Sequence, residues 1–377
     1  MLKRWITVGF LTAGLLPATA DWRQFRGPSG DGSYPAAAEG KLHGFPTEWS
    51  EENNIVWKTP ITGRAWSTPV VMGDQVWATN ATEDGKKMSV VCLDKATGKK
   101  IHDLLLFENA EPEPLSNHVN GYGSCSPTID EERVYIHFGS YGTTALDRKT
   151  GKVIWERKDL PCRHFRGPGS SLVLYKETLI ITMDGVDVQY LAALDRKTGK
   201  TVWKTDRTTD FGDVEEGGKI RGDGDYRKAY TTPNFVTING KVQLISSGAK
   251  ATYGYDADTG KELWKITYDG FSNAASPIFI GNEMAIINTG FGKAHLLGVR
   301  LDDKLTGDVT NAFPPSPPLS PSMARFMSPP KPASSAASTP KAARLKNTSR
   351  SRITSAPRVF MPTATSISSA KKAGPLS

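Results

Sequence analysis

Cysteine is scarce in this chain. There are three in 377 residues, Cys92, Cys125 and Cys162, and no two are adjacent. Three scattered thiols exclude a disulfide framework and a cysteine-based structural zinc site. No apolar run reaches the roughly 18 residues that a membrane-crossing helix needs. No segment sustains helical periodicity, which points away from helical folds. Phosphate-loop and dinucleotide glycine motifs are absent, as is the Gly-x-Ser-x-Gly nucleophile elbow. Acidic residues are also missing from one region. Asp308 is the last of the 39, and residues 311–377 hold ten Lys/Arg, twelve prolines and fourteen serines.

That last absence changes the meaning of the net charge. The whole chain carries +8 with a pI near 9.2, which suggests an anionic partner. Setting aside Lys3, Arg4 and the ten cations of residues 311–377 leaves 35 basic against 39 acidic residues over 21–310, a balance of −4. The body is mildly acidic, so nucleic-acid binding loses its support. Its 38% apolar content suffices for a core.

Residues 1–20 read as an export signal. Lys3 and Arg4 precede an apolar run, Ile6 to Leu16, then Pro17 and the small-x-small site Ala18-Thr19-Ala20. Cleavage is expected after Ala20, and without a nearby cysteine there is no lipid anchor. The expected location is the periplasm or outside the cell, with at least one thiol unpaired.

The body is repetitive. Leu93-Asp94-Lys95-Ala96-Thr97-Gly98-Lys99 returns as Leu146-Asp147 to Gly151-Lys152, with Trp155 following. It returns again as Leu194-Asp195 to Gly199-Lys200 with Trp203, and as Tyr255-Asp256 to Gly260-Lys261 with Trp264. Leu301-Asp302-Asp303 is a decayed fifth copy. The aspartates are spaced 53, 48, 61 and 46 residues apart. Each copy reads as strand, turn, strand: Asp caps the turn, Thr bonds locally, and Gly takes the positive-φ position. A second signal, a small residue or Ser/Thr before Pro and then an apolar strand, occurs at Ser67-Thr68-Pro69, Cys125-Ser126-Pro127, Thr231-Thr232-Pro233 and Ala275-Ser276-Pro277. The unit holds about four short strands at propeller-blade spacing. The expected fold is all-β, a propeller of four-stranded blades. About five blades are present, out of a parent ring of seven or eight. Ile55-Val56-Trp57-Lys58 is expected as an isolated strand that completes the last blade.

These repeats resemble the pyrroloquinoline-quinone-like (PQQ-like) propeller family, in which the tryptophan after the Asp…Thr-Gly turn is a docking feature. The opening Asp21-Trp22-Arg23-Gln24-Phe25-Arg26-Gly27-Pro28 is similar to the mature start of exported propellers in that group. The resemblance covers about residues 21–310.

Residues 311–377 have the composition of a disordered basic tail. A sharper reading treats them as blade sequence in a slipped frame. Shifted by one base, Ser338 to Arg344 permits Leu-Asp-Ala-Lys-Ser-Gly-Glu, and Met361 to Ser369 permits Tyr-Ala-Asp-Gly-Asp-Val-Tyr-Phe-Phe. The two aspartates would lie 24 apart, against 26 from Asp256 to Asn282. The expected organisation is thus a signal (1–20), a propeller (21–310) and a frameshifted tail (311–377).

Candidate chemistry is thin. The PQQ-dependent enzymes that the repeats resemble use an adjacent cysteine pair, a calcium ion and an Asp base, and no adjacent pair exists here. Carboxylates cluster at Asp210 to Gly218 and at Asp223-Gly224-Asp225, but off the EF-hand spacing. A solvated acidic insertion is the simpler reading. Loops of consecutive blades converge at one end of a propeller, so Arg166, Asp187, Arg221, Asp225 and Lys250 form a candidate mixed-charge ligand pocket. The competing role is ion pairing between blades. Cys162 and His164 are two apart, too few for a metal site. His118 has no Ser or Asp partner pattern. Neither a metal nor a cofactor is expected. The expected function is a non-enzymatic exported scaffold or envelope assembly factor that binds proteins or a polymer, as a monomer or weak oligomer. The alternative is a PQQ/calcium oxidoreductase or other envelope enzyme.

Overall fold

Four times the chain reaches the Asp-x-x-Thr-Gly turn, and four times the same hydrogen bonds close it. In the computed structural model, which describes residues 21–34, 46–116, 119–292 and 294–312, one carboxylate oxygen each of Asp94, Asp147, Asp195 and Asp256 accepts from the N–H and hydroxyl of the Thr three residues on, at 2.7–2.8 Å. The glycine N–H donates to the same aspartate's carbonyl at 2.8 Å. Gly98, Gly151, Gly199 and Gly260 sit at φ between +69° and +72°, where a side chain is strained. Just before each turn the ladder slips by one residue, at Cys92/Leu93, Ala145/Leu146, Ala193/Leu194 and Gly254/Tyr255. Such bulges increase the twist of a blade.

These turns join the third and fourth strands of antiparallel sheets. Blade one is β1 (Val70–Met72), β2 (Gln75–Ala81), β3 (Lys87–Asp94) and β4 (Lys100–Glu108). Blade two is β5 (Thr128–Ile129), β6 (Arg133–His137), β7 (Thr143–Asp147) and β8 (Val153–Arg157). Blade three is β9 (Val173–Tyr175), β10 (Thr178–Asp184), β11 (Gln189–Asp195) and β12 (Thr201–Asp206). Blade four is β13 (Asn234–Ile238), β14 (Lys241–Ser247), β15 (Ala251–Asp256) and β16 (Glu262–Thr267). Blade five has three strands, β17 (Ile278–Ile280), β18 (Met284–Asn288) and β19 (Leu296–Arg300). The decayed fifth turn lacks the Thr and Gly bonds; Asp302 caps Lys304 instead. The chain then adds β20 (Gly307–Asp308) in parallel to β16 of blade four. The fold is an all-β propeller of about five blades.

The core lies between blades. Along β6, Val134 and Ile136 pack with blade one while Tyr135 packs with blade three. Along β10, Leu179, Ile181 and Met183 face blade two, and Ile180 faces blade four. Period-two alternation therefore buries both faces of an inner blade, which is why these strands read as unbroken apolar runs. Blade five buries Ala285, Ile287 and Val299 against blade four. Its Ile280 and Leu296 stay 61% and 63% exposed.

A second seam joins the starts of the first strands. The Thr68 N–H donates to Ser126 Oγ, the Ser126 N–H to Ser171 Oγ, and the Ser171 N–H to Thr232 Oγ1, each at 2.9 Å. The hydroxyl before Pro127 and before Pro233 is thus the acceptor for the neighbouring blade, and Ser171, which precedes Leu172, does the same in blade three.

The tryptophans dock as the resemblance implies, with two departures. Trp155 covers Gly199 of the next blade's turn and donates to the Arg196 carbonyl at 3.0 Å; Trp203 covers Gly260. Trp264 instead turns into the layer between blades four and five and donates to Gln243 at 2.9 Å. Ile55-Val56-Trp57-Lys58 forms no strand. Trp57 nonetheless covers Gly98 and donates to the Lys95 carbonyl at 2.9 Å, as Trp155 does one blade later. The anchor is present, but no described sheet lies alongside to make the segment a strand.

Residues 21–34 run along the free edges of first strands. Trp22 exchanges two backbone hydrogen bonds with Val71 of β1, both 2.8 Å, and the Arg23 carbonyl accepts from Ile129 of β5 at 2.9 Å. The signal at 1–20, all of the slipped-frame tail 311–377 but its first two residues, and Asn117 and His118 lie outside the described residues.

Candidate functional site

The loop after blade two carries Arg166 and the segment between blades three and four carries Arg221 and Asp225, while Asp187 lies between β10 and β11 and Lys250 between β14 and β15. Of the five candidates, two meet. Arg166 grips Asp225 through two parallel bonds of 2.9 and 2.7 Å. Asp225 is presented by a 3-10 turn, Arg221–Arg227, that three residues of positive φ, Gly222, Asp223 and Gly224, hold open. The other three go elsewhere. Asp187 accepts from the N–H groups of Arg163 and Val188, both at 2.8 Å. Arg221 faces Glu215 at 3.6 Å. Lys250 donates to the Phe211 carbonyl at 3.1 Å.

Beneath this layer lies a buried charged cluster that sequence reasoning missed. Arg207, at the end of β12, binds Asp184 bidentately at 2.6 and 2.7 Å, and both side chains are almost fully enclosed. Burial opposes the guanidinium's charge, but the Asp184 carboxylate more than offsets it and raises Arg207 above its ordinary value. Lys228 is 1% exposed. Its ammonium donates to the carbonyls of Asp184 (2.8 Å) and Ala229 (3.2 Å) and lies 4.6 Å from the Tyr230 ring centre. Burial pushes Lys228 below the usual lysine range. None of Asp184, Arg207 and Lys228 is among the five candidates read from the sequence, although Asp184 and Lys228 lie in the same polar loops as Asp187 and Asp225. Neither Arg207 nor Lys228 stands in a motif, and the pairing spans 23 residues, so no spacing rule could have found it.

Cys162 and His164 do come together, with Sγ 3.7 Å from Nδ1. His164 Nε2 accepts from the Ser140 N–H at 2.9 Å, which leaves the ring proton on Nδ1. Burial, followed by the nearby Lys228 ammonium, holds His164 well below its ordinary value. Burial pushes the Cys162 thiol up to about 12. A protonated thiol against a neutral imidazole is a packed pair, not an activated nucleophile. Glu113 ties this loop down, accepting from the N–H groups of His164 (2.7 Å) and Phe165 (3.0 Å).

Four of the six carboxylates in the candidate calcium loops have partners. Asp210 caps Gly212, Asp213 pairs with Arg227 at 2.7 Å, Glu215 faces Arg221 and Asp225 holds Arg166. Among the described residues no three His, Cys, Asp or Glu side chains are grouped to hold a metal ion. Cys92, Cys125 and Cys162 are all buried, and none is in a disulfide. What the arrangement does chemically is fix three loops against one another.

The turns, the interblade seams and the docked tryptophans define a propeller of the PQQ-like repeat class. Within it, the chain belongs to the family described as "Outer membrane protein assembly factor BamB", whose model matches residues 28–159, 55–223 and 187–310. Among solved structures it is similar to BamB from Moraxella catarrhalis (18% identity, TM-score 0.45), covering 65% of this chain and 62% of that one. It is also similar to a europium-containing methanol dehydrogenase (14% identity, TM-score 0.42, 64% of this chain and 48% of that chain). A third is the quinohemoprotein alcohol dehydrogenase from Comamonas testosteroni (16%, 0.42, 63% and 42%). The chain thus spans less than two thirds of each of these structures. Comparison with curated proteins gave no significant match.

Proposed function

We propose that this chain is an exported, non-enzymatic scaffold that binds envelope proteins or a polymer, in the manner of an assembly factor. The observation that carries this reading is the match to the assembly-factor family across residues 28–310. The pairing of the loop charges with one another supports it, because a catalytic site needs groups left free to meet a substrate. Exposed aromatics suit protein contact: Trp49 is 52% and Trp66 39% exposed, and Arg64 stacks on Trp66 at 4.5 Å. No helix among the described residues is long and apolar enough to cross a membrane. Export rests on residues 1–20, and amino-terminal sequencing of the secreted or periplasmic product should begin at Asp21.

The test is affinity capture from envelope extract with cross-linking. A partner recovered at a stable ratio, and lost with Trp66→Ala, is the expected result. Capture of nothing above background overturns the reading. Tryptophan fluorescence is expected to stay flat when pyrroloquinoline quinone and calcium are titrated in; saturable quenching would favour the oxidoreductase instead.

A further inference from the structure

The first strand of every blade is an edge strand. Its outer N–H and C=O groups have no partner within the blade and need one. In blades one and two that partner is residues 21–34. The Trp22 N–H donates to the Val71 carbonyl and the Val71 N–H to that of Trp22, both at 2.8 Å, which is strand addition to β1. One residue on, the Arg23 carbonyl takes the Ile129 N–H of β5 at 2.9 Å. Side chains fix the register. Asp21 accepts from the Gly73 N–H at 3.0 Å, and Arg23 reaches Glu131 at 2.6 Å. The segment then turns at Gly27, which packs under the Trp22 ring where no Cβ would fit. It ends beside blade four, where Asn234 donates to the Ser29 carbonyl at 3.2 Å.

We propose that the inner edges of blades one and two are a binding site for an extended peptide, filled in cis by residues 21–34. The backbone bonds are blind to side chains, so they accept any extended segment. Selectivity comes from Glu131, which favours a cationic residue at the position of Arg23, and from the Gly73 N–H, which favours an acidic residue two positions earlier. The Arg23 bond holds the Glu131 carboxyl below its ordinary range, as expected of a carboxylate facing its cation. Tethering gives the resident segment a high effective concentration, so a peptide in trans enters once the resident is displaced. This site is separate from the exposed aromatics that the scaffold reading uses, and either can fail without the other.

The experiment uses the full chain and hydrogen exchange at single amides. In the wild type the Val71 and Ile129 amides are expected to be protected. The double variant Trp22→Pro and Arg23→Glu removes a donor and sets like charges together, and exchange at both amides should accelerate by at least about tenfold. The Ser126 and Ser171 amides, bonded to neighbouring hydroxyls, should not change, which shows that the blades remain folded. Adding a synthetic peptide with the sequence of residues 21–34 should restore protection, and the same peptide with glutamate in place of its arginine should not. Unprotected amides in the wild type, unchanged exchange in the variant, or no restoration by the peptide would each overturn the proposal.

Discussion

Two imidazoles and one ion pair carry most of the consequence at the scale of single residues. His137 and His164 are both enclosed, and burial depresses His137 to about 3. Each is neutral in the folded chain and takes a proton on unfolding once the pH falls below its ordinary value of 6.5. A depressed folded value means stability that is full above pH 6.5 and is lost as pH falls toward the folded value. Urea unfolding at pH 5 should therefore show about 2 kcal/mol less stability per histidine than at pH 8. His137→Gln should remove part of that slope, and a slope left intact would place the titration elsewhere. Arg207 and Asp184 make the opposite kind of prediction. Removing one partner strands a buried charge, so Arg207→Met should cost about 3–5 kcal/mol. Pairing it with Asp184→Leu should recover much of that loss. The measurement is a double-mutant cycle in urea, and additive losses would mean the two groups do not interact.

The turn and its tryptophan are the unit at the scale of the element. Gly199 and Gly240 both sit at positive φ, +72° and +77°. Only Gly199 has a ring, that of Trp155, where a Cβ would go; at Gly240 the space is open. Both Ala variants incur the left-handed strain of about 1–2 kcal/mol. Gly199→Ala should cost about 1–3 kcal/mol more, because it also pushes Trp155 out of its seat. Equal losses, read from thermal or urea midpoints, would show that the docking contributes nothing. The turn was legible in the sequence because its chemistry is local: Asp, Thr and Gly at fixed offsets repeat wherever the backbone repeats. The hydroxyl seam was half legible. Ser126 and Thr232 were marked as strand starts, but their acceptors' donors lie 58 and 61 residues away in sequence. Ser171→Ala, which strands the Ser126 N–H, should cost about 1–3 kcal/mol. Residues 21–34 were the least legible. Their hold on β1 and β5 is mainly backbone to backbone, and that leaves no side-chain pattern to read. Arg166 and Asp225 show the limit for sites. Charges near one another in a fold are as ready to pair as to bind, and here they pair.

At the scale of the whole molecule, the decisive fact is that each blade is finished by its neighbour. Inner blades bury both faces, whereas blade five buries one. On its other side Ile280 and Leu296 are exposed, with Ile278 of the same strand as Ile280 at 37%. Among the described residues nothing covers them. Contiguous apolar surface of this kind promotes self-association. The edge of β19, unpaired among the described residues, points the same way, since an open strand recruits another. The body's balance of −4 supplies only weak repulsion between copies. Light scattering on the purified chain should therefore show mass rising with concentration, beyond the monomer or weak oligomer that the sequence suggested. Ile280→Lys with Leu296→Glu should return it toward the monomer without lowering the unfolding midpoint, because neither side chain is buried in the folded chain. If the double variant associates as before, the contact lies elsewhere, and the first place to look is the exposed Trp49 and Val56 beside the lone Trp57 anchor, at the other end of the row of blades.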